Sequence, residues 1–322
     1  MSGILAFVIL TVTCLLYYNL PVHAVCDDGV TDYKWKPYRF CSRGTEGFSL
    51  ARTNNDGYFN LFDYEKDLPI SVLIMGSSHM EALQMMMRES TASRLNSMWN
   101  GIVYNIGISG HSFLVCANNI QSASRKYCPT QYIIVETSSL SFLDKSLEDI
   151  VHGSFERIPS NAKGLLAILS RNQYLRLLYH QIEAHLKRWN ADKTIELTRE
   201  EANNNPELLS KVFCKMRDAA QSSGAKVIIA YHPGVALNED GSLRIVSDEE
   251  VTAQFAGLCK ETGIHFLDMS SRFLEEYNRD YTLPYGFCNT SVGKGHLNRE
   301  GHRMMADELF KLMKRIEGEI KG

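Results

Sequence analysis

The chain has 322 residues, a formal net charge of -3, 44% hydrophobic residues and 22% charged residues. That balance supports packed globular structure and excludes disorder, collagen or coiled coil as descriptions of the whole chain. No long basic run occurs, which argues against nucleic acid as the main partner, and length alone suggests about two domains.

Residues 1 to 26 contain no Asp, Glu, Lys or Arg. Ile4 to Leu16 is an apolar run of signal-peptide length, and Val22-His23-Ala24 offers small residues for cleavage after Ala24. No Lys or Arg precedes the run. Gly3 to Leu20 is alternatively just long enough to cross a bilayer as an uncleaved anchor. Either reading predicts export, to a secreted, periplasmic or membrane-anchored state facing away from the cytoplasm. Any membrane attachment would run through residues 3–20.

Of the eight cysteines, Cys14 leaves with a cleaved leader. Cys26 with Cys41, and Cys116 with Cys128, are then the natural local disulfides in an oxidising compartment. The odd remainder leaves at least one thiol unpaired, and buried free thiols are the alternative for Cys214 and Cys259. No C-x2-C spacing occurs, so neither a zinc site nor any other metal or cofactor is indicated.

Residues 25–69 are rich in aromatics, Gly, Asp and Asn without sustained periodicity, and read as an irregular N-terminal extension. Short apolar runs predict buried strands at Ile70–Met75, Ile102–Ile106, Tyr132–Val135, Lys226–Tyr231 and Ile264–Leu267. Helix formers fill Met80 to Met98. Leu175, Leu178, Ile182, Leu186 and Trp189 form one apolar helix face, and 208–221, 249–262 and the C-terminal stretch through Met305, Leu309, Leu312, Met313 and Ile316 read similarly. Strands alternating with helices predict a parallel sheet covered on both faces. The stretch 140–206 is long for a single crossover and reads as a mainly helical insertion. The organisation is therefore 1–24 leader or anchor, 25–69 extension and 70–322 one α/β domain.

Sites in such sheets gather at the carboxyl ends of the strands. After the first strand, Gly76-Ser77-Ser78-His79 permits a tight turn and puts a serine at a helix start, where free N–H groups suit an oxyanion. The bland alternative is a helix N-cap serine. After the second, Asn105-Ile106-Gly107-Ile108-Ser109-Gly110 can bring the Gly110 N–H to a bound acyl group, or merely make a turn. After the third, Glu136-Thr137-Ser138-Ser139 either lines the pocket or caps the next segment. Near the end, His296 lies in a Gly-rich loop before the last helix, with Asn298 as N-cap. A histidine there suits a general base. His302 falls inside the helix and reads as a packing or hydrogen-bonding residue. Asn289-Thr290-Ser291 matches the N-glycosylation pattern, but a glycan there would crowd His296, so its use is not expected.

The order Gly-x-Ser, Asn-x-Gly-x-Ser-Gly and His-Leu-Asn-x-x-Gly-His over roughly residues 70 to 318 resembles the SGNH/GDSL hydrolase superfamily. The resemblance implies a flavodoxin-like α/β/α sandwich. It implies Ser78 as nucleophile, His296 as base, and the N–H groups of Ser78 and Gly110 as the oxyanion hole. Two positions depart from the pattern. No Asn stands in Glu136-Thr137-Ser138-Ser139 to give a third oxyanion donor, for which Ser138 or Ser139 is the substitute. Gly293 occupies the position of the orienting Asp. Asp268, after the fifth strand, is a candidate acid, or alternatively a cap for the next helix. The leading expectation is an exported serine esterase removing O-acyl groups, most readily acetyl, from a carbohydrate or another ester. The alternatives are an O-acyltransferase using the same acyl-enzyme, and a non-catalytic carbohydrate-binding or scaffold protein.

Overall fold

The computed structural model describes residues 2–19, 23–25, 30–31, 33–155 and 205–320. The helix face from Leu175 to Trp189, and Cys26, lie outside the described residues.

The chain begins with helix α1 (Ser2–Tyr17). It runs into strand β1 (Tyr18–Asn19), followed by β2 (His23–Val25), β3 (Tyr33–Trp35), β4 (Phe40–Arg43) and β5 (Ser49–Arg52). Of the span 3–20 expected as a leader or anchor, helix α1 covers the residues up to Tyr17, and 18–19 continue as β1. Among the described residues no helix is long and apolar enough to cross a membrane. The extension is less irregular than its sequence suggests. Together with residues of the preceding segment it forms two small antiparallel sheets, β1-β4-β5 and β2-β3, in which β4 and β5 pair from Phe40↔Arg52 to Arg43↔Ser49 across a short connection.

The main domain follows as β6 (Ile70–Met75), α2 (Ser78–Glu81), α3 (Thr91–Met98), β7 (Ile102–Asn105), α4 (Phe113–Tyr127), β8 (Tyr132–Thr137) and α5 (Asp144–His152). Beyond residues 156–204, which lie outside the described residues and take with them most of the expected insertion, come α6 (Pro206–Gln221), β9 (Lys226–Tyr231), β10 (Gly234–Leu237), β11 (Leu243–Val246), α7 (Glu249–Thr262), β12 (His265–Asp268), α8 (Ser270–Asp280) and α9 (Arg299–Ile320). The sheet order is β12-β9-β8-β6-β7, and every neighbouring pair is parallel. Counted from β6 as the first strand, this is the flavodoxin-like order, which reverses direction beside β6. The expected fold class is what the chain adopts.

Alternation along each strand splits the core in two. Ile133 and Val135 pack with Ile120, Leu147, Phe213 and Phe255 on one face. Tyr132 and Ile134 pack with Leu95, Phe273, Leu309 and Met313 on the other. The helix expected over Met80–Met98 is broken: Ala82 takes φ 58, and α2 stops there. Contacts with the extension override helix propensity at this point. Ser49 Oγ donates to Leu83 O at 2.7 Å, and Phe48 N–H donates to Gln84 O at 3.0 Å. The hairpin β10–β11, unforeseen in the sequence, turns through Asn238 to Ser242, whose carbonyl accepts the Asn238 backbone N–H at 2.9 Å.

No disulfide forms among the described residues, where Cys41, Cys116, Cys128, Cys214, Cys259 and Cys288 are free. The expected Cys116–Cys128 bridge fails geometrically. Cys116 lies inside α4 and Cys128 caps its far end, about 18 Å along the helix axis, whereas a bridge needs Cα atoms within about 7 Å. Cys41 is fully buried with Trp35, Ala51, Phe59 and Leu83, and burial pushes its thiol up to about 12.

Candidate active site

Ser78 opens α2 directly after β6, at the point where the strand order reverses. The Ser77 side chain caps this short helix by accepting the His79 N–H. Met80 and Glu81 N–H donate to Ser77 O at 3.1 and 3.0 Å, and Ser78 stands in the first turn, whose amides have no acceptor within the helix. Gly76 is required beneath it: a Cβ there would stand 2.6 Å from Glu136 Oε2.

His296 arrives from the loop before α9. Asn298 caps that helix, its Oδ1 accepting from Glu300 N and Gly301 N at 3.0 Å each. The imidazole Nε2 lies 2.8 Å from Ser78 Oγ. Its Nδ1 lies 2.7 Å from Glu46 Oε2, while Glu46 Oε1 accepts the His296 backbone N–H at 3.0 Å. Glu46 thus holds the ring by two bonds and leaves Nε2 free to accept from the serine. Both side chains are partly open to solvent, 22% for His296 and 16% for Glu46. Burial alone would raise the Glu46 carboxyl. The hydrogen bonds and charge of His296, with help from Arg43, outweigh it and hold the carboxyl below its ordinary value.

The carboxylate that meets His296 therefore comes from the extension and not from the main domain. Asp268 is not brought to His296. Its Oδ1 accepts from Ser270 N and Ser270 Oγ at 2.9 and 2.6 Å, which is the capping alternative. Gly293 takes φ +82 and carries no acid. Sequence reasoning missed Glu46 because the extension has no periodicity and no motif. The one signal was a glutamate between two glycines, Gly44 and Gly47.

The second loop is tied to the nucleophile's helix. Gly107 packs so closely on α2 that a Cβ would lie 2.7 Å from Met80 Cβ, and Asn105 Nδ2 donates to Met80 O at 2.8 Å. Ser109 N–H donates to Glu81 at 3.2 Å and the Ser109 hydroxyl also binds it, while Trp35 Nε1 donates to the other carboxyl oxygen at 2.6 Å. Gly110 follows with φ +84, a left-handed conformation that suits glycine.

The third block places Glu136 against the serine turn. Glu136 is buried; its Oε2 accepts the Ser77 N–H at 2.7 Å and its Oε1 meets His232 Nε2 at 2.6 Å. His232 Nδ1 faces the Tyr285 hydroxyl at 2.8 Å. Burial would raise the Glu136 carboxyl, but the His232 hydrogen bond and charge dominate and lower it. His79 is sandwiched between two imidazoles, with ring centroids 4.5 Å from His232 and 5.0 Å from His296. Its Nδ1 accepts the Leu297 N–H at 3.2 Å, and burial, then the neighbouring His232 charge, keep it neutral. Ser138 is exposed and lines a cavity of about 260 Å³ with Ser77, His111, Phe113 and Phe142. His302 is buried with its Nδ1 2.8 Å from Thr91 Oγ1, the hydrogen-bonding role expected of it.

Fold and site together define a Ser-His-Glu array on a flavodoxin-like scaffold, the order of groups that serine hydrolases use. Solved structures similar to the chain include an acetyl xylan esterase, AlAXEase, at 12% identity over 75% of this chain and 98% of that one, with a TM-score of 0.42. A member of the lipolytic G-D-S-L family from Veillonella parvula matches at 13% identity over 76% and 98%, TM-score 0.40. A putative GDSL-like lipase from Parabacteroides merdae matches at 13% over 78% and 99%, TM-score 0.42. No family model matches the chain, and no curated protein matches it.

Proposed function

We propose that the protein is a serine ester hydrolase. The observation that carries this reading is the continuous line Ser78 Oγ–His296 Nε2 at 2.8 Å and His296 Nδ1–Glu46 Oε2 at 2.7 Å. Ser78 attacks the ester carbonyl while His296 takes the hydroxyl proton. The N–H groups of Ser78 and Gly110 stabilise the oxyanion, and His296 then gives its proton to the leaving alcohol. Water activated by the same imidazole releases the acid from the acyl-enzyme. Glu46 keeps the ring in the tautomer that accepts from serine and stabilises the imidazolium. Its presence removes the missing Asp as a reason to regard the site as a non-catalytic relic.

The substrate we propose is an O-acylated carbohydrate with a short acyl group such as acetyl. The cavity of about 260 Å³ beside Ser77 supports a short chain. The uncharged α1 supports an extracytoplasmic setting, secreted or attached by that segment, where acylated polymers are available.

The test is hydrolysis of a small activated acetyl ester and release of acetate from acetylated xylan by the full chain. Ser78→Ala and His296→Ala should each reduce the rate by at least about 10³. An inert parent protein, or an active Ser78→Ala variant, would refute the reading. Transfer of the acetyl group to an added sugar in preference to water would instead make it an acyltransferase.

A further inference from the structure

The residue that fixes the acid is Asn289. Its Oδ1 accepts the Gly47 N–H at 2.9 Å. Its Nδ2 donates to Gly44 O and Gly47 O, each at 2.9 Å. The three bonds bracket the turn 44–47 that carries Glu46. They use one acceptor and two donors, an inventory that a side-chain amide has and that carboxylate, hydroxyl or methyl lacks. The turn has further supports on its backbone, among them the Gly44 N–H, which donates to Tyr17 O at 2.6 Å. Gly47 takes φ +66, and a Cβ there would stand 2.0 Å from Gln84 O. Phe48 N–H holds Gln84 O on one side, and Arg43 reaches Glu46 Oε2 at 3.3 Å on the other.

Asn289 also belongs to the loop that leads to His296, in which Gly293 N–H donates to Tyr285 O and Gly286 N–H to His296 O, both at 3.0 Å. A single amide therefore ties the base's loop to the acid's loop across 242 positions.

Building on the esterase reading, we propose that Asn289 is a positioning residue that holds Glu46 on His296. We further infer that the active protein carries Asn289 without a glycan. N-glycosylation would replace one of the two Nδ2 hydrogens, and both are committed to carbonyls. The glycosylation pattern at Asn289-Thr290-Ser291 is thus overridden by the fold that needs the bare amide.

The experiment is a double-mutant cycle on the full chain with p-nitrophenyl acetate. Asn289→Ala and Asn289→Asp should each lower kcat about tenfold or more with KM little changed, since the lost contacts act on the base and not on the bound ester. Once Glu46 is Ala, adding Asn289→Ala should cost nothing more. Ser291→Ala, which removes the glycosylation pattern and leaves the amide in place, should keep full activity. Losses that multiply in the double variant, or a folded Asn289→Ala with unchanged kcat, would overturn the proposal.

A second readout needs no turnover. The Nδ1–H of His296 bonded to Glu46 should give a downfield proton resonance, absent in Glu46→Ala and in Asn289→Ala at an unchanged melting temperature. Persistence of that resonance in Asn289→Ala overturns the positioning role. If the resonance disappears as expected while the parent cleaves no ester, the hydrolase reading fails and the positioning role stands.

Discussion

Glu46 meets His296 Nδ1 at 2.7 Å although 250 positions separate the two residues. The pairing makes the extension part of the candidate site. The sheet β1-β4-β5, which looks like a decoration on the α/β domain, delivers the carboxylate from the turn between β4 and β5. The two edges of the candidate triad therefore come from different layers of the molecule, and their alignment depends on how the extension is fastened.

Replacing Glu46 tests this directly. In Ser-His-Asp enzymes, converting the carboxylate to its amide leaves the geometry but favours the wrong tautomer, at a cost of about 10⁴ in kcat. Glu46→Gln should lower kcat by about 10²–10⁴, measured on an activated acetyl ester. Asp268→Asn is the counterpart. Among the described residues its carboxylate accepts hydrogen bonds from Ser270 and not from His296, so kcat should stay within about twofold and stability should fall by about 1 kcal/mol. The reverse ranking of the two variants would reassign the acid.

Gly295 offers a purely steric test of the same contact. It holds φ +87, and a Cβ would lie 2.5 Å from Glu46 Oε1. Gly295→Ala strains the backbone and pushes the carboxylate from the ring in one step. The rate should fall at least about tenfold, while Gly257→Ala, whose Cβ would meet nothing within 4 Å, should leave it unchanged. Equal rates for both variants would show that Glu46 does not need its observed position.

Ser78 and His296, which the structure brings within 2.8 Å of each other, are legible in the sequence as candidates because one follows a strand and the other precedes a capped helix. The five parallel strands are legible for the same reason, as unbroken apolar runs buried on both faces. Glu46 is not legible, because its place is decided by β4–β5 pairing, by Asn289 and by the absence of a Cβ at Gly295. The break after Glu81 is hidden too, since Ala82 to Met85 carry no Gly or Pro. Leu83 and Gln84 leave the helix to bond the extension. The Cys116–Cys128 pairing was suggested by closeness in sequence, which a rigid helix converts into distance.

The buried Glu136 sets an acid limit to stability. Burial would raise its carboxyl, but its partner His232, with His79 and the Ser77 N–H, lowers it from the ordinary 4.5 to about 2. A depressed carboxyl stabilises the fold above its unfolded value and loses that contribution as pH falls through the folded one. The contribution, on the order of 3 kcal/mol, should therefore vanish between about pH 4.5 and 2. Thermal unfolding of the parent and of Glu136→Gln should differ most near neutrality and converge by about pH 2. Parallel curves across that range would mean that Glu136 is not ionised in the folded protein.

Glu81 tests the other half of the site. It is 2% exposed, and burial raises its carboxyl, an effect that the Ser109 and Trp35 hydrogen bonds partly offset. Through Ser109 it holds the loop that presents the Gly110 N–H, and it sits in the same turn of helix as Ser78. Glu81→Ala leaves the Trp35 indole N–H and the Ser109 N–H without their acceptor, which should cost about 1–3 kcal/mol of stability for each group that stays buried. If Gly110 is an oxyanion donor, release of its loop should also reduce kcat by about 10²–10³, the range for loss of one such donor. Affinity for a boronic acid that mimics the tetrahedral intermediate should fall in parallel with kcat, whereas KM for the ester should change little. A Glu81→Ala protein that is less stable yet keeps its kcat and its boronate affinity would remove Gly110 from the oxyanion hole and leave the Ser78 N–H as the donor this site supplies.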